Sequence, residues 1–198
     1  MEDIVEKSLI VFYALNLLVG FFIKSFVVWL RTKVNPYVLG KGDDLQGLVA
    51  LWFRFVMIGL GLYCSLPWLW PDSIGALRSW PPHYIQQMIG VGILTLSILL
   101  MFGSQVSLGD AWRIGIDQNE RSELIISGFY KISRNPIFLA MRLQLVGVFL
   151  VSPSGLSLLL AGIGELCIQI QVRLEEMYLL RTHGPVYEQY KLRVRRWL

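Results

Sequence analysis

Blocks of apolar residues long enough to cross a bilayer constrain this chain more than any other feature. A crossing helix needs roughly 20 mainly apolar residues, and Leu9–Leu30, Leu48–Trp70 and Tyr84–Phe102 each meet that length. A further apolar tract, Ile137–Ile170, is interrupted once, at Ser152–Gly155, and reads as a helical hairpin whose first arm is short. The pattern predicts an all-α polytopic membrane protein with five transmembrane helices, closing in a helical hairpin and an amphipathic tail. Mean hydropathy of +0.55 and 55% hydrophobic residues agree, because the excess is gathered in these blocks.

Charge sets the expected orientation. Lys and Arg fall in the first loop (Arg31, Lys33, Lys41), the third (Arg113, Arg121, Lys131, Arg134) and the C-terminal tail, whereas the second loop has only Arg78 and the turn at Ser152–Gly155 none. The positive-inside rule then puts the N-terminus on the extracytoplasmic side and the C-terminus in the cytoplasm. The acidic flank Met1-Glu2-Asp3 and the lack of a small-residue cleavage site separate the first apolar run from a signal peptide, so it is expected to stay in the mature protein.

The tail, Met177–Trp197, is broken at His183-Gly184-Pro185. Its Lys191, Arg193, Arg195 and Arg196 suit an anionic membrane surface, which makes membrane lipid an expected partner. No nucleic-acid motif accompanies these charges, so no nucleic-acid partner is expected. Cys64 and Cys167 lie in spans toward opposite leaflets, which argues against a disulfide. Two Cys and two His make no metal-ligand cluster, and no metal is expected.

Polar residues inside the apolar blocks say where to look for chemistry. Gly90 and Gly92, with Thr95 and Ser97, suit close helix packing. The loop Gly103–Arg134 is expected to hold a short helix near Leu108–Ile114 and a tight backbone position at Gly128. The chain divides into three spans with their loops (1–107) and a site-bearing region (108–198). If the hairpin arms are helices about a turn near Pro153, residues whose numbers sum to about 306 lie at equal depth. Asn135 then comes level with Gln171, Lys131 with Glu175, and Arg142 with Glu165, giving a polar rim at one membrane face. Arg142 and Glu165 are each expensive in hydrocarbon. Two readings stay open: a structural pair, or the border of a substrate cavity.

The motifs that follow one another here are Gly128-Phe129-Tyr130, Arg134-Asn135-Pro136-Ile137-Phe138, the hairpin, Glu175-Glu176, Gly184-x-x-Tyr187-x-x-Tyr190 and Val194-x-Arg196. In this order they resemble the isoprenylcysteine carboxyl methyltransferase family, to which the phospholipid methyltransferases are related. The resemblance runs from about Leu108 to the C-terminus. It implies a membrane methyltransferase that uses S-adenosylmethionine on a lipophilic small molecule. The implied cofactor contacts are Ser122, Glu123, Leu124, Ile125, Tyr130, Asn135, Pro136, Ile137, Phe138 and Glu175. Gln171 falls where the family addresses the acceptor, Arg142 and Glu165 are candidates for its border from their own placement, and no catalytic base is implied.

Three departures bear on specificity. Asn135 stands where the family has His, Phe138 where it has Tyr, and Gln171 where prenylcysteine methyltransferases have an Arg for the acceptor carboxylate. Arg173, about 200° round the helix from Gln171, does not replace it. Cofactor binding survives these changes better than a prenylcysteine acceptor does. Two other classes share such a hairpin: a sterol-reductase-like enzyme using NADPH, for which this chain lacks an added basic cluster, and a non-catalytic membrane scaffold.

Overall fold

A computed structural model describes residues 2–33, 45–70, 80–112 and 124–198. The chain forms α1 (Glu2–Lys7), α2 (Leu9–Leu17), a π-helical stretch (Leu18–Ile23), α3 (Lys24–Thr32), α4 (Leu45–Leu69), α5 (Tyr84–Leu108), α6 (Pro136–Val151), α7 (Gly155–His183) and α8 (Pro185–Arg193). Short 3-10 turns occupy Gly109–Ala111 and Gly128–Lys131, and no strand occurs among the described residues. Four helical stretches are long and apolar enough to cross a membrane: Ile4–Thr32, Leu45–Leu69, Tyr84–Leu108 and Gly155–His183. Pro136–Val151 is a shorter apolar fifth. This is the five-helix membrane fold that the apolar blocks predict.

The helices meet where the sequence permits it. Lipid tails give no hydrophobic drive for two helices to associate, so contact relies on small residues and hydrogen bonds. Gly90 of α5 and Gly147 of α6 lie back to back: a Cβ on Gly90 would sit 3.1 Å from the Gly147 carbonyl, and one on Gly147 3.2 Å from that of Gly90. Gly92, expected to do the same, has nothing within 4 Å. Beside this contact Ser97 Oγ donates to the Ala140 carbonyl at 2.8 Å. Gln86 and Gln87 donate to the carbonyls of Leu150 and Val151, which the end of α6 leaves without helical partners.

α5 runs to Leu108, beyond the expected end at Phe102. The polar residues there do not stop it, because each finds a partner inside the bundle. Ser104 and Ser107 bond back to Leu100 and Gly103, and Gln105 donates to the Gly20 carbonyl at 2.8 Å. Gly20 lies in the π-helical stretch, where the backbone register is disturbed and a carbonyl becomes available to a neighbour. Of the short helix expected near Leu108–Ile114, only the turn Gly109–Ala111 is seen, and its last two residues lie outside the described set.

One core joins Leu9 and Tyr13 to Val56, Leu60 and Tyr63, then to Leu94, Leu145, Val148, Leu160 and Ile168. A second gathers Val28, Met101, Trp112, Ile137 and Ala140. Cys64 and Cys167 are buried and free.

The hairpin fixes the site. Pro136 sits at the first position of α6, where its set φ suits a helix and its missing N–H is no loss. The 16 residues of α6 measure about 24 Å. Hydrocarbon about 30 Å thick reaches to about residue 175 of α7 counted from the turn, so Glu175 and Glu176 emerge just above the start of α6. At the opposite end the turn closes on itself. Ser154 and Ser157 form a reciprocal capping box, and the Tyr63 hydroxyl donates to the Ser152 carbonyl at 2.7 Å.

Candidate active site

The rim forms where the chain folds back before entering α6. Gly128 has φ +59°, and a Cβ there would lie 2.3 Å from Ser107 Oγ, so only glycine lets this segment dock on the end of α5. Tyr130 follows, and its carbonyl accepts a 2.6 Å bond from the Tyr190 hydroxyl of α8. The expected break at His183-Gly184-Pro185 occurs, with Gly184 at φ +51°. It turns α8 so that Tyr187 and Tyr190 face inward, while Lys191, Arg193 and Arg195 stay exposed.

Glu176 is the hub of the rim. It is buried, and Arg134 reaches it with Nε at 3.2 Å and Nη2 at 2.9 Å. Arg196 reaches it with Nε at 3.2 Å and Nη2 at 2.7 Å. The remaining donors of this corner hold the tail backbone. Arg134 Nη1 donates to the Val194 carbonyl at 2.7 Å, its N–H to Arg195 at 2.9 Å, and Ser133 Oγ to Arg196 at 3.1 Å. Two guanidinium groups thus share one carboxylate. The Arg196 pKa is raised, first by its bonds to Glu176, and burial pushes the Tyr190 phenol up to about 12.

Equal depth within the hairpin holds in its middle and fails at its end. Arg142 Nε donates to Glu165 Oε2 at 2.8 Å, the direct pairing expected. Asn135 does not meet Gln171; its Nδ2 lies 3.4 Å from Glu176 Oε1 and 3.4 Å from the Arg196 carbonyl. Two causes add up. The chain before Pro136 leaves the helix, with Asn135 at φ −134°, and side chains of α7 lean toward its N-terminus, so Glu176 reaches back down to Asn135.

The other predicted site residues are distributed as follows. Ser122 and Glu123 lie outside the described residues, and Leu124 and Ile125 are half-buried. Pro136 and Ile137 are buried, Ile137 within the second core, and Phe138 packs half-buried on the first. Asn135 caps α6 by position, yet its side chain makes no cap bond. Glu175 is half-buried and has no hydrogen bond or ion pair among the described residues. It lies near the Tyr130 phenol, whose pKa is raised by burial first and then by the charge of Glu175. Gln171 is half-buried and also unbonded among those residues.

Sequence reasoning missed that Glu176, rather than a lipid headgroup, takes Arg196, and that Arg134 shares it. An acid pair facing a basic motif was visible, but the partner of each acid depends on how the tail turns. It also missed a ladder beside the central pair. Gln169 Nε2 donates to Glu165 Oε1 at 2.7 Å, Arg173 Nη1 donates to Gln169 Oε1 at 3.2 Å, and the Arg142 guanidinium lies 4.4 Å from the centre of the Trp197 ring. Spacing by four on α7 is the signal that would have found the first two. No group of three His, Cys, Asp or Glu able to hold a metal occurs among the described residues.

Four helices long and apolar enough to cross a membrane, a shorter apolar fifth and an ionic rim at the open end of the hairpin define a membrane-embedded class of protein. The family model described as Phospholipid methyltransferase matches residues 85–185, just over half of the chain, and the chain belongs to that family. It is an integral membrane methyltransferase. Among curated proteins and solved structures, none matches the chain.

Proposed function

We propose that the protein transfers a methyl group from S-adenosylmethionine to a lipophilic small-molecule acceptor at the cytoplasmic rim of the hairpin. The observation that carries this reading is Glu175, a half-buried carboxylate near the Tyr130 phenol and without a partner among the described residues, while the start of α6 has no side-chain cap bond. Next to it, Glu176 already serves two arginines. The head group of the cofactor carries an ammonium and a carboxylate, and the two features match them in charge. Glu175 would hold the ammonium. The backbone N–H groups of Ile137 and Phe138, at the positive end of α6, would hold the carboxylate. Ser122, Glu123, Leu124 and Ile125 would read the adenine, with Tyr130 packing nearby; Asn135 and Pro136 set the start of the helix.

When bound, the cofactor supplies an electrophilic methyl on a sulfonium. Methyl transfer is an in-line displacement that neutralises the leaving group, so alignment and exclusion of water matter more than an acid. The fixed tail supports both, because residues 194–196 are tied across Ser133–Asn135 and cover that corner.

The acceptor side is bordered by Gln171, Arg142 and Glu165. A neutral Gln171 disfavours a prenylcysteine carboxylate, and feeble turnover of farnesylcysteine analogues is expected. The Lys/Arg distribution supports an extracytoplasmic N-terminus and a cytoplasmic C-terminus; a tag at Leu198 should be labelled only after permeabilisation.

Calorimetric titration of the detergent-purified protein with S-adenosylhomocysteine tests the reading, with NADPH as control. Binding of the first and not the second is expected. Glu175→Ala should weaken it at least tenfold, the scale of a charge-assisted hydrogen bond of about 1.5–3 kcal/mol, while leaving the melting temperature nearly unchanged. NADPH binding alone, or full affinity in Glu175→Ala, refutes it.

A further inference from the structure

Two carboxamides lie well inside the helical bundle, away from the rim. Gln144 stands eight residues beyond Pro136, about 12 Å along α6 and so near its middle. It is 7% exposed, and neither end of its amide has a hydrogen bond among the described residues. Asn16 of α2 is 3% exposed, and its two contacts are long for hydrogen bonds. Its Nδ2 lies 3.5 Å from the Phe12 carbonyl, and its Oδ1 lies 3.5 Å from Ser97 Oγ. A hydroxyl has one proton to give, and that of Ser97 goes to the Ala140 carbonyl at 2.8 Å. Asn16 Oδ1 is thus an acceptor without an effective donor.

Both amides line one cavity, with about 20 Å³ open to the centre of a water molecule. By that measure about 10–15 Å³ holds one water. The walls come from the first span, α4, α5 and both arms of the hairpin, and the other ten lining residues bring no polar side chain. An unpaired amide is costly in such a place. The two amides ask for opposite partners: Gln144 Nε2 needs an acceptor, and Asn16 Oδ1 needs a donor. A carbonyl would serve only the first and an ammonium only the second. A hydroxyl oxygen serves both. Charge is disfavoured as well, because no ionised side chain lines the cavity.

We infer that this cavity is a binding site for one uncharged hydroxyl oxygen, which accepts from Gln144 Nε2 and donates to Asn16 Oδ1. Water supplies that oxygen, or the hydroxyl tip of a lipid alcohol does, with Met57, Met101 and Met141 as adaptable walls for its first carbons. Either way it bridges the first span, two residues before its π-helical stretch, to the middle of the hairpin. The site is separate from the rim and does not rest on the methyltransferase reading.

Thermal unfolding of the purified full chain in a neutral detergent tests the bridge. Gln144→Met keeps the length of the side chain and removes the amide. With the oxygen in place the change breaks the bridge and should lower the melting temperature by about 2–4 °C, the scale of one net hydrogen bond in a chain of this size. In a dry cavity it would only relieve an unpaired amide, and the melting temperature would rise or stay the same. Asn16→Leu should show a similar fall, and it reports on the bridge if Gln144→Met does not purify. The double variant should lose less than the sum of the two, because both side chains hold the same oxygen.

Two isomers separate the sources: 1-octanol, and heptyl methyl ether, which accepts but cannot donate. A melting temperature higher in octanol than in the ether for wild type, with the gap closed in Gln144→Met, assigns the oxygen to a lipid alcohol. Equal responses to the two probes, beside the expected fall in Gln144→Met, assign it to water. A melting temperature unchanged or raised in both single variants, or additive losses in the double variant, overturns the inference.

Discussion

The two ends of the α6–α7 hairpin solve one problem, closing a helical pair, with opposite chemistry. At the turn, Ser152, Ser154 and Ser157 are neutral, buried and within five residues of one another, and one distant side chain, Tyr63, completes the set. At the rim, Arg134, Glu176 and Arg196 are ionic and come from three separate segments. The turn satisfies its hydroxyls locally. The rim gathers charge from far along the chain and leaves Glu175 without a partner among the described residues. A closed end suffices for structure, whereas an open charged end can receive a polar ligand.

The sharpest way to break that contrast is Glu176→Ala. It strands two arginines in a buried corner, and breaking such a pair costs about 3–5 kcal/mol. Denaturation in detergent should show this loss, together with faster proteolysis after residue 184 as the tail comes free. A loss below that of a turn mutant would mean the ionic rim is not what holds the tail.

The centre of the hairpin should be next. Arg142→Leu or Glu165→Leu alone should cost about 1–3 kcal/mol, less than the buried-pair figure, because the side chains are 30% and 36% exposed. The double substitution should recover much of it. Additive losses in a double-mutant cycle would deny the coupling.

Alkaline pH gives a milder test of the same end. The folded pKa of Tyr190, about 12, lies above the ordinary value of 10.0, so the native state keeps a proton that the unfolded chain loses. That stabilisation is complete below pH 10 and is lost as pH rises toward 12. Tyr190→Phe should flatten this part of the stability profile; an unchanged slope would remove Tyr190 as its source.

The smallest effect belongs to the turn. Ser154→Ala removes a helix cap and should cost about 0.5–2 kcal/mol, with S-adenosylhomocysteine affinity unchanged. A loss of affinity at that distance would tie the two ends together and end the comparison.

Several of these features were legible before any coordinates. Apolar blocks fix membrane helices because the bilayer imposes a length, and the interruption at Ser152–Gly155 fixes the hairpin. Equal spacing from that turn brings Arg142 to Glu165, since both lie on regular helix where rise per residue is constant. Gly128 and His183-Gly184-Pro185 declare their own backbone breaks. The partner of Glu176 was not legible. Arg134 lies outside α6 and Arg196 beyond α8, so neither position follows from helical rise. The direction in which Glu176 leans, and the turn that Gly184 gives to α8, put both arginines on that acid and leave its neighbour Glu175 without a partner among the described residues. Sequence spacing settles positions within one regular element; only the tertiary structure decides how irregular segments return to it.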